Sequence, residues 1–383
     1  MKTPFELTVP ERAPLFSRSG WLALMTIVIA VVLITLLGTQ LTAADSPLHI
    51  SDYTLTLTGK LLCYAIVAMS LNLVWGYCGI LSLGHGLYFA LGGYAMSMYL
   101  VQAPAPGEPS GGLPAFTFLL NWTELPWYWA GTDTLIWAVM LAVLVPGIVA
   151  FVFGYFAFRS RIQGVYLSIM TQAVTYAAML LFFRNETGFG GNNGFTDFKS
   201  IAGYSISTTN TRTVLFLISF AILVLVFVLV QWIMTSRFGK VITAIRDSES
   251  RVMFIGFNPL HYKLAIWTLS AVLCGLAGAL YAPLVGIINP GEMSPVNSIE
   301  MVIWVAVGGR GSLVGSILGV FTVNGAKTFF TAFMPEYWLY VLGGLFVVVT
   351  LFMPKGLIGL FRRRRIPAKE KTASPALSVT ESV

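Results

Sequence analysis

Ser236–Lys263 reads SRFGKVITAIRDSESRVMFIGFNPLHYK and separates two long series of apolar segments. We call this stretch the polar island. It holds five of the chain's 23 Lys and Arg residues, although only 10% of the sequence is charged. The polar run and the break at Gly256–Pro259 predict a short helix over roughly Lys240–Phe254 that lies outside a membrane. The island is therefore interpreted either as a docking surface or as an ordinary solvated loop.

On both sides of the island the sequence is rich in apolar segments. The 383 residues are 56% hydrophobic and have a mean hydropathy of +0.79. Apolar stretches of about 20 residues are long enough to cross a bilayer as helices. The sequence therefore predicts an all-α polytopic membrane protein. Its spans are predicted near residues 21–40, 57–75, 79–101, 133–157, 161–183, 212–235, 263–283, 297–308, 312–333 and 337–354.

The distribution of Lys and Arg predicts the topology, because basic residues are retained on the cytoplasmic side. Ten spans put both termini on one side. With both termini inside, all but five of the 23 basic residues are cytoplasmic; the five are Lys60, Arg184, Lys199, Arg212 and Lys327. The first apolar run is longer than a signal-peptide core, which favours an uncleaved helix.

Three regions are predicted from this topology. They are a cytoplasmic N-terminal segment at 1–20, a transmembrane domain at 21–361 that contains the island as a cytoplasmic loop at 236–263, and a cytoplasmic tail at 362–383. The tail begins with four arginines, which can attract anionic lipid. The rest of it has too little apolar material to fold and is predicted to be disordered.

The sequence contains no recognisable catalytic, metal-binding or nucleotide-binding motif. Cys63, Cys78 and Cys274 have no paired spacing, and the three histidines are scattered, so no metal site is predicted. No phosphate-binding loop and no GxGxxG after a strand is present. We therefore predict no catalytic residues and no cofactor in this chain. Uphill transport would need an ion gradient or a separate ATPase.

A glycine-rich break, GYCGILSLGHG at Gly76–Gly86, interrupts the apolar run. Broken backbone at membrane depth is tolerated only where it is buried in protein or faces water, and transporters build sites from such breaks. Ser82, His85 and Tyr88 are therefore pathway candidates, and a simple connector is the alternative.

Polar groups inside the predicted spans are few, and they are expensive at membrane depth. Glu300 is the one carboxylate and Lys327 the one basic residue well inside a span. We predict a supporting ion pair between them; a substrate role is the alternative. The residues predicted to line the solute path are Asn72, His85, Tyr88, Gln172 and Trp304.

AIRDSES followed by GFNP, within the island, resembles the coupling segment of permease subunits of ABC importers for branched-chain amino acids, amides and urea. The resemblance runs from about Trp21 to Phe361. It implies that a short cytoplasmic helix docks in a cleft of an ATP-binding subunit. The common pattern has its Glu where this chain has Ser250, which leaves the contacting acid open. The residues implied for ATPase coupling are Arg246, Asp247, Glu249, Arg251 and Gly256. The other stretches that carry the resemblance are SLGHGLYFALGGY (Ser82–Tyr94), YLSIMTQAVTYA (Tyr166–Ala177) and VAVGGRGSLVGSILG (Val305–Gly319).

Three further strings resemble the urea-uptake C-type branch of that family: NWTELPWYW (Asn121–Trp129), FFRNETGFGGNNGFTDFK (Phe182–Lys199) and VGIINPGEMSPVNSIEMVIWVAVGGRGS (Val285–Ser312). The resemblance implies a bacterial inner-membrane importer of urea or short amides. Its partners would be a second, B-type permease, two ATP-binding subunits that use ATP and Mg²⁺, and a periplasmic urea-binding protein; membrane lipid surrounds it and nucleic acid is not expected. The readings left open are a branched-chain amino acid permease, an ATP-independent urea channel and an ion-coupled carrier.

Overall fold

The computed structural model describes residues 15–42, 46, 48–104, 113–114, 117–118, 121–353 and 356–361. Most of the predicted N-terminal segment and the tail at 362–383 therefore lie outside the described residues. The described part is an α-helical bundle, as predicted. The helices are α1 Arg18–Leu36, α2 Asp52–Asn72, α3 His85–Leu100, α4 Leu135–Arg159, α5 Val165–Phe183, α6 Thr209–Thr235, α7 Arg237–Asp247, α8 Glu249–Phe254, α9 Pro259–Val285, α10 Pro295–Gly308, α11 Leu313–Phe333, α12 Trp338–Phe352 and α13 Gly356–Phe361.

Seven of the described helices are long and apolar enough to cross a membrane: α1, α2, α4, α5, α6, α9 and α11. α1 and α2 continue as π-helical turns at Leu37–Leu41 and Leu73–Tyr77. α3 has 16 residues, α10 has 14 and α12 has 15. At about 1.5 Å per residue none of these three spans a hydrocarbon core of about 30 Å by itself. The fold class is confirmed, whereas ten crossings and the orientation stay predictions.

α3 and α10 are each preceded by a non-helical run. The run before α3 is Gly79–Gly84, and the run before α10 contains the 3₁₀ turn Pro290–Met293. The two helix starts lie side by side, because a Cβ on Gly86 would sit 2.9 Å from both the Glu292 carbonyl oxygen and Ser298 Oγ. These two helices therefore begin next to each other inside the bundle.

Serine and asparagine side chains set several helix starts. Ser51, Ser294 and Ser312 accept hydrogen bonds from backbone N–H groups in the first turns of α2, α10 and α11, and Asn258 does the same for α9. Such caps satisfy amides that have no partner within the helix. α9 ends at Gly286, whose φ of +81° is the left-handed conformation that glycine adopts at helix C-termini.

The core lies around α2 and α9, which are buried over most of their length, whereas Thr35 is the single buried residue of α1. α3 crosses α9 at backbone distance. A Cβ on Gly278 would overlap the Phe89 carbonyl oxygen. Small residues allow helices to approach this closely in membranes. The buried pair α2 and α9 is thus the frame on which the other helices are placed.

The island forms two helices instead of the single one predicted. α7 is capped by Ser236, whose Oγ accepts from Gly239 N, and it ends at Ser248. Ser248 has φ −163° and ψ 97°, which is extended backbone, and α8 starts directly after it. Two short antiparallel strand pairs are also present: β1 Phe195–Thr196 pairs with β4 Ile287–Ile288, which is distant in sequence, and β2 Ser200–Ile201 forms a local hairpin with β3 Tyr204–Ser205.

Candidate functional site

We call the end of the bundle where the island lies the island end, and the opposite end the far end. At the island end, the π turn of α2 joins two other parts of the chain. Asn72 is fully buried; its Nδ2 donates to the Ser312 carbonyl (3.0 Å), and its Oδ1 accepts from Gly311 N (2.8 Å). The side-chain amide therefore holds the α10–α11 loop. This geometry gives Asn72 a structural role and does not favour its predicted place on the solute path.

The same turn holds the island. Arg246 Nη1 donates to the Gly76 carbonyl at 3.0 Å, while its Nε and Nη2 donate to Asp247 Oδ1 at 3.0 and 2.9 Å. A Cβ on Gly76 would overlap Asn72 Oδ1 and sit 2.5 Å from Gly311 N. The π turn thus contacts both the island and the α10–α11 loop.

Glu249 also binds within the chain. It pairs with Lys263 at 2.5 Å and accepts from Gln163 Nε2 at 2.9 Å, which ties the start of α8 to α9 and to the α4–α5 loop. Three of the four charged side chains implied for coupling are therefore engaged by their own chain, and Arg251 is exposed.

A cavity of about 300 Å³ lies behind the island, between the segment Cys78–Leu81 that follows the π turn, the α4–α5 loop and α7. Its lining includes Cys78, Gln163, Arg246, Glu249 and Lys263. Burial raises the pKa of the Cys78 thiol to about 12, so the thiol stays protonated at neutral pH. The cavity combines both charge signs with an unreactive thiol.

The tip of the island is apolar and exposed. Phe254 is 92% exposed and Ile255 72%; Met253 and Phe257 are also exposed. Gly256 turns the chain at this tip with φ +89°, and no atom lies within 4 Å of the position that a Cβ would take there. Contiguous exposed apolar side chains of this kind mark interaction surfaces. This apolar tip was not predicted from the sequence, because the interpretation of the island rested on its charged residues.

The glycine-rich break is a buried, hydrogen-bonded segment. Ser168 Oγ of α5 donates to the Leu81 carbonyl at 2.9 Å, and Leu83 N donates to Thr171 Oγ1 at 3.0 Å. His85 is 2% exposed, and its ring nitrogens lie 3.0 Å from Ser82 Oγ and 2.8 Å from Ser270 Oγ. Hydroxyl groups of α5 therefore replace helical hydrogen bonds along the break, as buried backbone requires, and the α9 hydroxyl of Ser270 holds the His85 ring.

The remaining path candidates differ in their surroundings. Tyr88 is 3% exposed and packs edge-on against Trp267, with ring centroids 6.2 Å apart. Gln172 has buried amide atoms with no hydrogen-bond partner among the described residues. An unpaired buried amide is unfavourable, so Gln172 is the member of this group whose geometry agrees best with contact to a solute or water.

Towards the far end, four charged side chains from four elements lie together. Lys327 Nζ is 2.8 Å from Glu300 Oε2, and Lys60 lies close enough to Glu292, Lys327 and Glu300 to interact with them electrostatically. Glu300 Oε1 is buried and has no partner in the described part of the chain. We call Lys60, Glu292, Glu300 and Lys327 the charged cluster. It contains two basic and two acidic side chains.

Aromatic rings line the charged cluster. Lys60 Nζ lies 5.4 Å from the ring centroid of Tyr64 and 5.8 Å from that of Tyr281, and Tyr281 Oη donates to Glu292 Oε1 at 3.1 Å. The ring of Trp304 stacks on Tyr64 with centroids 4.7 Å apart. Trp304 is therefore part of this aromatic wall, and its buried Nε1 has no partner among the described residues.

Sequence reasoning missed Lys60 and Glu292 as members of this site. It places Lys60 at the outer surface and Glu292 in a connector. Lys60 precedes Tyr64 by one helical turn, and Glu300 precedes Trp304 by one turn. This i, i+4 spacing of a charge and an aromatic residue in two spans is the signal that could have indicated one shared face.

The far end is covered by segments that are distant in sequence. Tyr128 Oη donates to the Thr187 carbonyl at 2.7 Å, the rings of Trp129 and Phe195 are 5.6 Å apart, and Phe195 pairs with Ile288 in the β1–β4 ladder. We call residues 121–129, 182–199 and 285–290 the far-end cap. The cap joins the three outer connections into one surface.

Buried spans, a broken helix and intramembrane charges define a polytopic membrane permease. Residues 53–350 match the family described as "Branched-chain amino acid transport system / permease component", and the chain belongs to this family. It is a multi-pass protein of the bacterial inner membrane.

Known relatives agree with this assignment. The chain is 25% identical over 338 residues to the high-affinity branched-chain amino acid transport system permease protein LivM of Salmonella typhimurium, which covers 82% of this chain and 72% of LivM. It is 22% identical over 311 residues to LivH of Escherichia coli K12, covering 77% of this chain and 91% of LivH. A probable LivM of Methanocaldococcus jannaschii is 25% identical over 314 residues, with 77% and 90% covered. These relatives are transport permeases and not enzymes. No solved structure matches the chain.

Proposed function

We propose that this chain is one permease subunit of an ATP-driven importer, and that the island is the segment through which ATP hydrolysis moves it. The observation that carries the proposal is the exposed apolar tip at Met253–Phe257, with Phe254 92% exposed at a turn outside the bundle. An aromatic side chain held this far out of the core is suited to a pocket on a partner. The proposed partner surface is the cleft of an ATP-binding subunit.

The contacts behind the tip support transmission into the membrane. Arg246 reaches the π turn of α2, and Asn72, the residue directly before that turn, holds the α10–α11 loop. Irregular turns of this kind inside helices are frequent at functional sites. A displacement of the island would therefore be passed to α2 and α10, and α10 carries Glu300.

The remaining components follow from the importer proposal. Nothing in this chain binds nucleotide by a known loop, so ATP and Mg²⁺ belong to two separate ATP-binding subunits. A second permease would complete the path, and a periplasmic binding protein would deliver the solute to the far-end cap. The relatives named LivM and LivH support a pair of different permeases.

Branched-chain amino acids are the substrate class that the relatives favour. LivM and LivH are described as permeases of a high-affinity branched-chain amino acid system. Identities of 22–25% are low enough for the substrate to differ between members. We therefore propose branched-chain amino acids as the first candidate.

Urea is the second candidate, and one structural observation supports it. The three strings that resemble the urea-uptake branch are far apart in sequence, yet they contact each other in the far-end cap through Tyr128, Thr187, Phe195 and Ile288. Three segments that form one surface can together bind one solute or one binding protein. Urea or short amides stay a proposal on this basis.

Uptake by the complete importer distinguishes the two candidates. Cells lacking other systems would express this chain with its partner permease, ATP-binding subunits and binding protein, and would be given labelled leucine or labelled urea. Uptake of leucine alone supports the first candidate, and uptake of urea alone supports the second. Uptake that continues without the ATP-binding subunits contradicts the importer proposal itself.

The apolar tip is tested by Phe254→Ala. We expect the ATP-binding subunits to lose affinity by at least about tenfold, because truncating a buried aromatic anchor costs about 2 kcal/mol or more. Phe333→Ala is the matched control, since Phe333 is 70% exposed at the last residue of α11, the opposite end of that helix from Ser312 and the island end. Co-purification and ATP hydrolysis are measured. Equal behaviour of the two variants would remove the tip from the docking surface.

A further inference from the structure

Two polar groups of the charged cluster have no hydrogen-bond or ion-pair partner among the described residues. Lys327 binds one oxygen of Glu300, while the other oxygen, Oε1, is buried without a partner in the described part of the chain. Lys60 rests against the rings of Tyr64 and Tyr281 and forms no ion pair with any described residue. Unpaired charges inside spans are costly and usually face a ligand or a water-filled cavity. One cation and one acceptor are thus left available.

An ion pair that only fixes α10 to α11 does not explain why Lys327 is exposed. Such a pair would bury both partners, but the side chain of Lys327 is 40% exposed while that of Glu300 is 4% exposed. An ammonium group exposed on a spanning helix does not face lipid favourably. This side of the cluster therefore faces water or a protein partner.

We propose that the charged cluster is a solute-binding site for molecules that carry an oxygen acceptor next to an N–H donor. Lys60 binds the carboxylate or carbonyl oxygen, Glu300 Oε1 accepts the N–H group, and Tyr64 and Trp304 form the wall. The proposal rests on the proposed transport function and places its substrate contact in this chain. It gives Glu300 a binding role in addition to its pairing with Lys327.

The chemistry of the cluster selects for solutes without net charge. Two lysines and two glutamates balance each other, so a net anion or cation meets a repelling partner for each attracting one. An amino acid zwitterion fits, because its ammonium and carboxylate groups match Glu300 and Lys60 with charge-assisted hydrogen bonds. Urea has the same pattern of carbonyl and N–H groups in neutral form. The two substrates therefore share the site and differ in how much they need the charge of Lys60.

Two substitutions test the site in the complete importer reconstituted in vesicles: Lys60→Met and Glu300→Gln. Each should lower uptake of the substrate at least about tenfold, the effect of losing one charge-assisted hydrogen bond. Arg18→Met is the matched control, because Arg18 is exposed at the first residue of α1 and belongs to neither the charged cluster nor the far-end cap. Co-purification with the partner subunits and ATP hydrolysis without solute should be unchanged. Wild-type uptake by both cluster variants would overturn the proposal.

The choice of solute distinguishes failure of the proposed binding site from failure of the proposed transport function. Wild-type importer is tested with leucine, its amide leucinamide and urea. If it carries leucine, Lys60→Met should abolish the preference for leucine over leucinamide, since the amide lacks the carboxylate. If it carries urea and no leucine, the amino acid function fails, and the same variants still test the site with urea.

Chemical protection tests the wild-type protein directly, in case a variant fails to assemble. The importer is treated with a small amine-reactive reagent, with and without saturating transported solute, and modified lysines are identified by mass spectrometry. Solute should slow modification of Lys327, which is partly exposed, and should leave Lys240, which is exposed on α7, unaffected. Equal modification of Lys327 under both conditions would contradict binding at the cluster.

Discussion

Asn72→Ala distinguishes a structural role for Asn72 from the predicted place on the solute path. In the structure the Asn72 amide both accepts from Gly311 N at 2.8 Å and donates to the Ser312 carbonyl at 3.0 Å. The substitution removes both bonds in a fully buried environment. We expect a loss of stability first, and any loss of transport as its consequence.

The size of the effect follows from what is left unpaired. Ser312 keeps the hydrogen bonds that its carbonyl accepts from Ser316 N and Oγ, so only Gly311 N–H is orphaned. One buried unsatisfied donor costs about 1–3 kcal/mol, and one lost hydrogen bond about 1 kcal/mol. The free energy of unfolding should therefore fall by about 2–4 kcal/mol.

Asn324→Ala is the matched control for this measurement. Asn324 is also buried, but its Nδ2 donates only to the Val320 carbonyl one turn earlier in the same helix. Its removal orphans no backbone group, so the expected loss is about 1 kcal/mol. Both variants are unfolded with SDS in mixed micelles. An Asn72→Ala protein that is as stable as wild type but fails to transport would refute this reasoning and return Asn72 to the path.

Two further predictions concern packing and cysteine reactivity. Gly278→Ala should separate α3 from α9, because the added Cβ overlaps the Phe89 carbonyl, and it should lower the free energy of unfolding by about 1–3 kcal/mol in the same assay. Gly325→Ala is the control and should be neutral, because the position of its Cβ is open space. Equal stability of the two variants would contradict the close contact of α3 and α9. Cys78, whose pKa burial raises to about 12, should react with maleimide negligibly from pH 6 to pH 9, because thiolate forms only as the pH approaches that value. Labelling at pH 7 as fast as that of a cysteine placed at exposed Ser250 would show that the thiol is accessible and ionised.

Several features of this protein were determined by the sequence alone. Apolar segments of about 20 residues can be satisfied only as helices in a bilayer, so the α-helical fold and the membrane location follow from composition and length. The break at Gly76–Gly86 and the isolated polar island were also visible, because glycine clusters and charges interrupt an otherwise apolar pattern. The ion-pair partners Glu300 and Lys327 stood out since charges inside spans are rare.

The tertiary structure decided which polar groups meet. Asn72 and Gln172 are equivalent as sequence features, but helix packing gives the amide of Asn72 two backbone partners and leaves that of Gln172 without any among the described residues. Lys60 and Glu292 join the charged cluster only because α2 lies beside α10 and the turn before it. Hydrogen bonds and ion pairs act over a few ångströms, so contacts between residues more than 200 positions apart depend on how the helices pack, which the local apolar pattern does not encode.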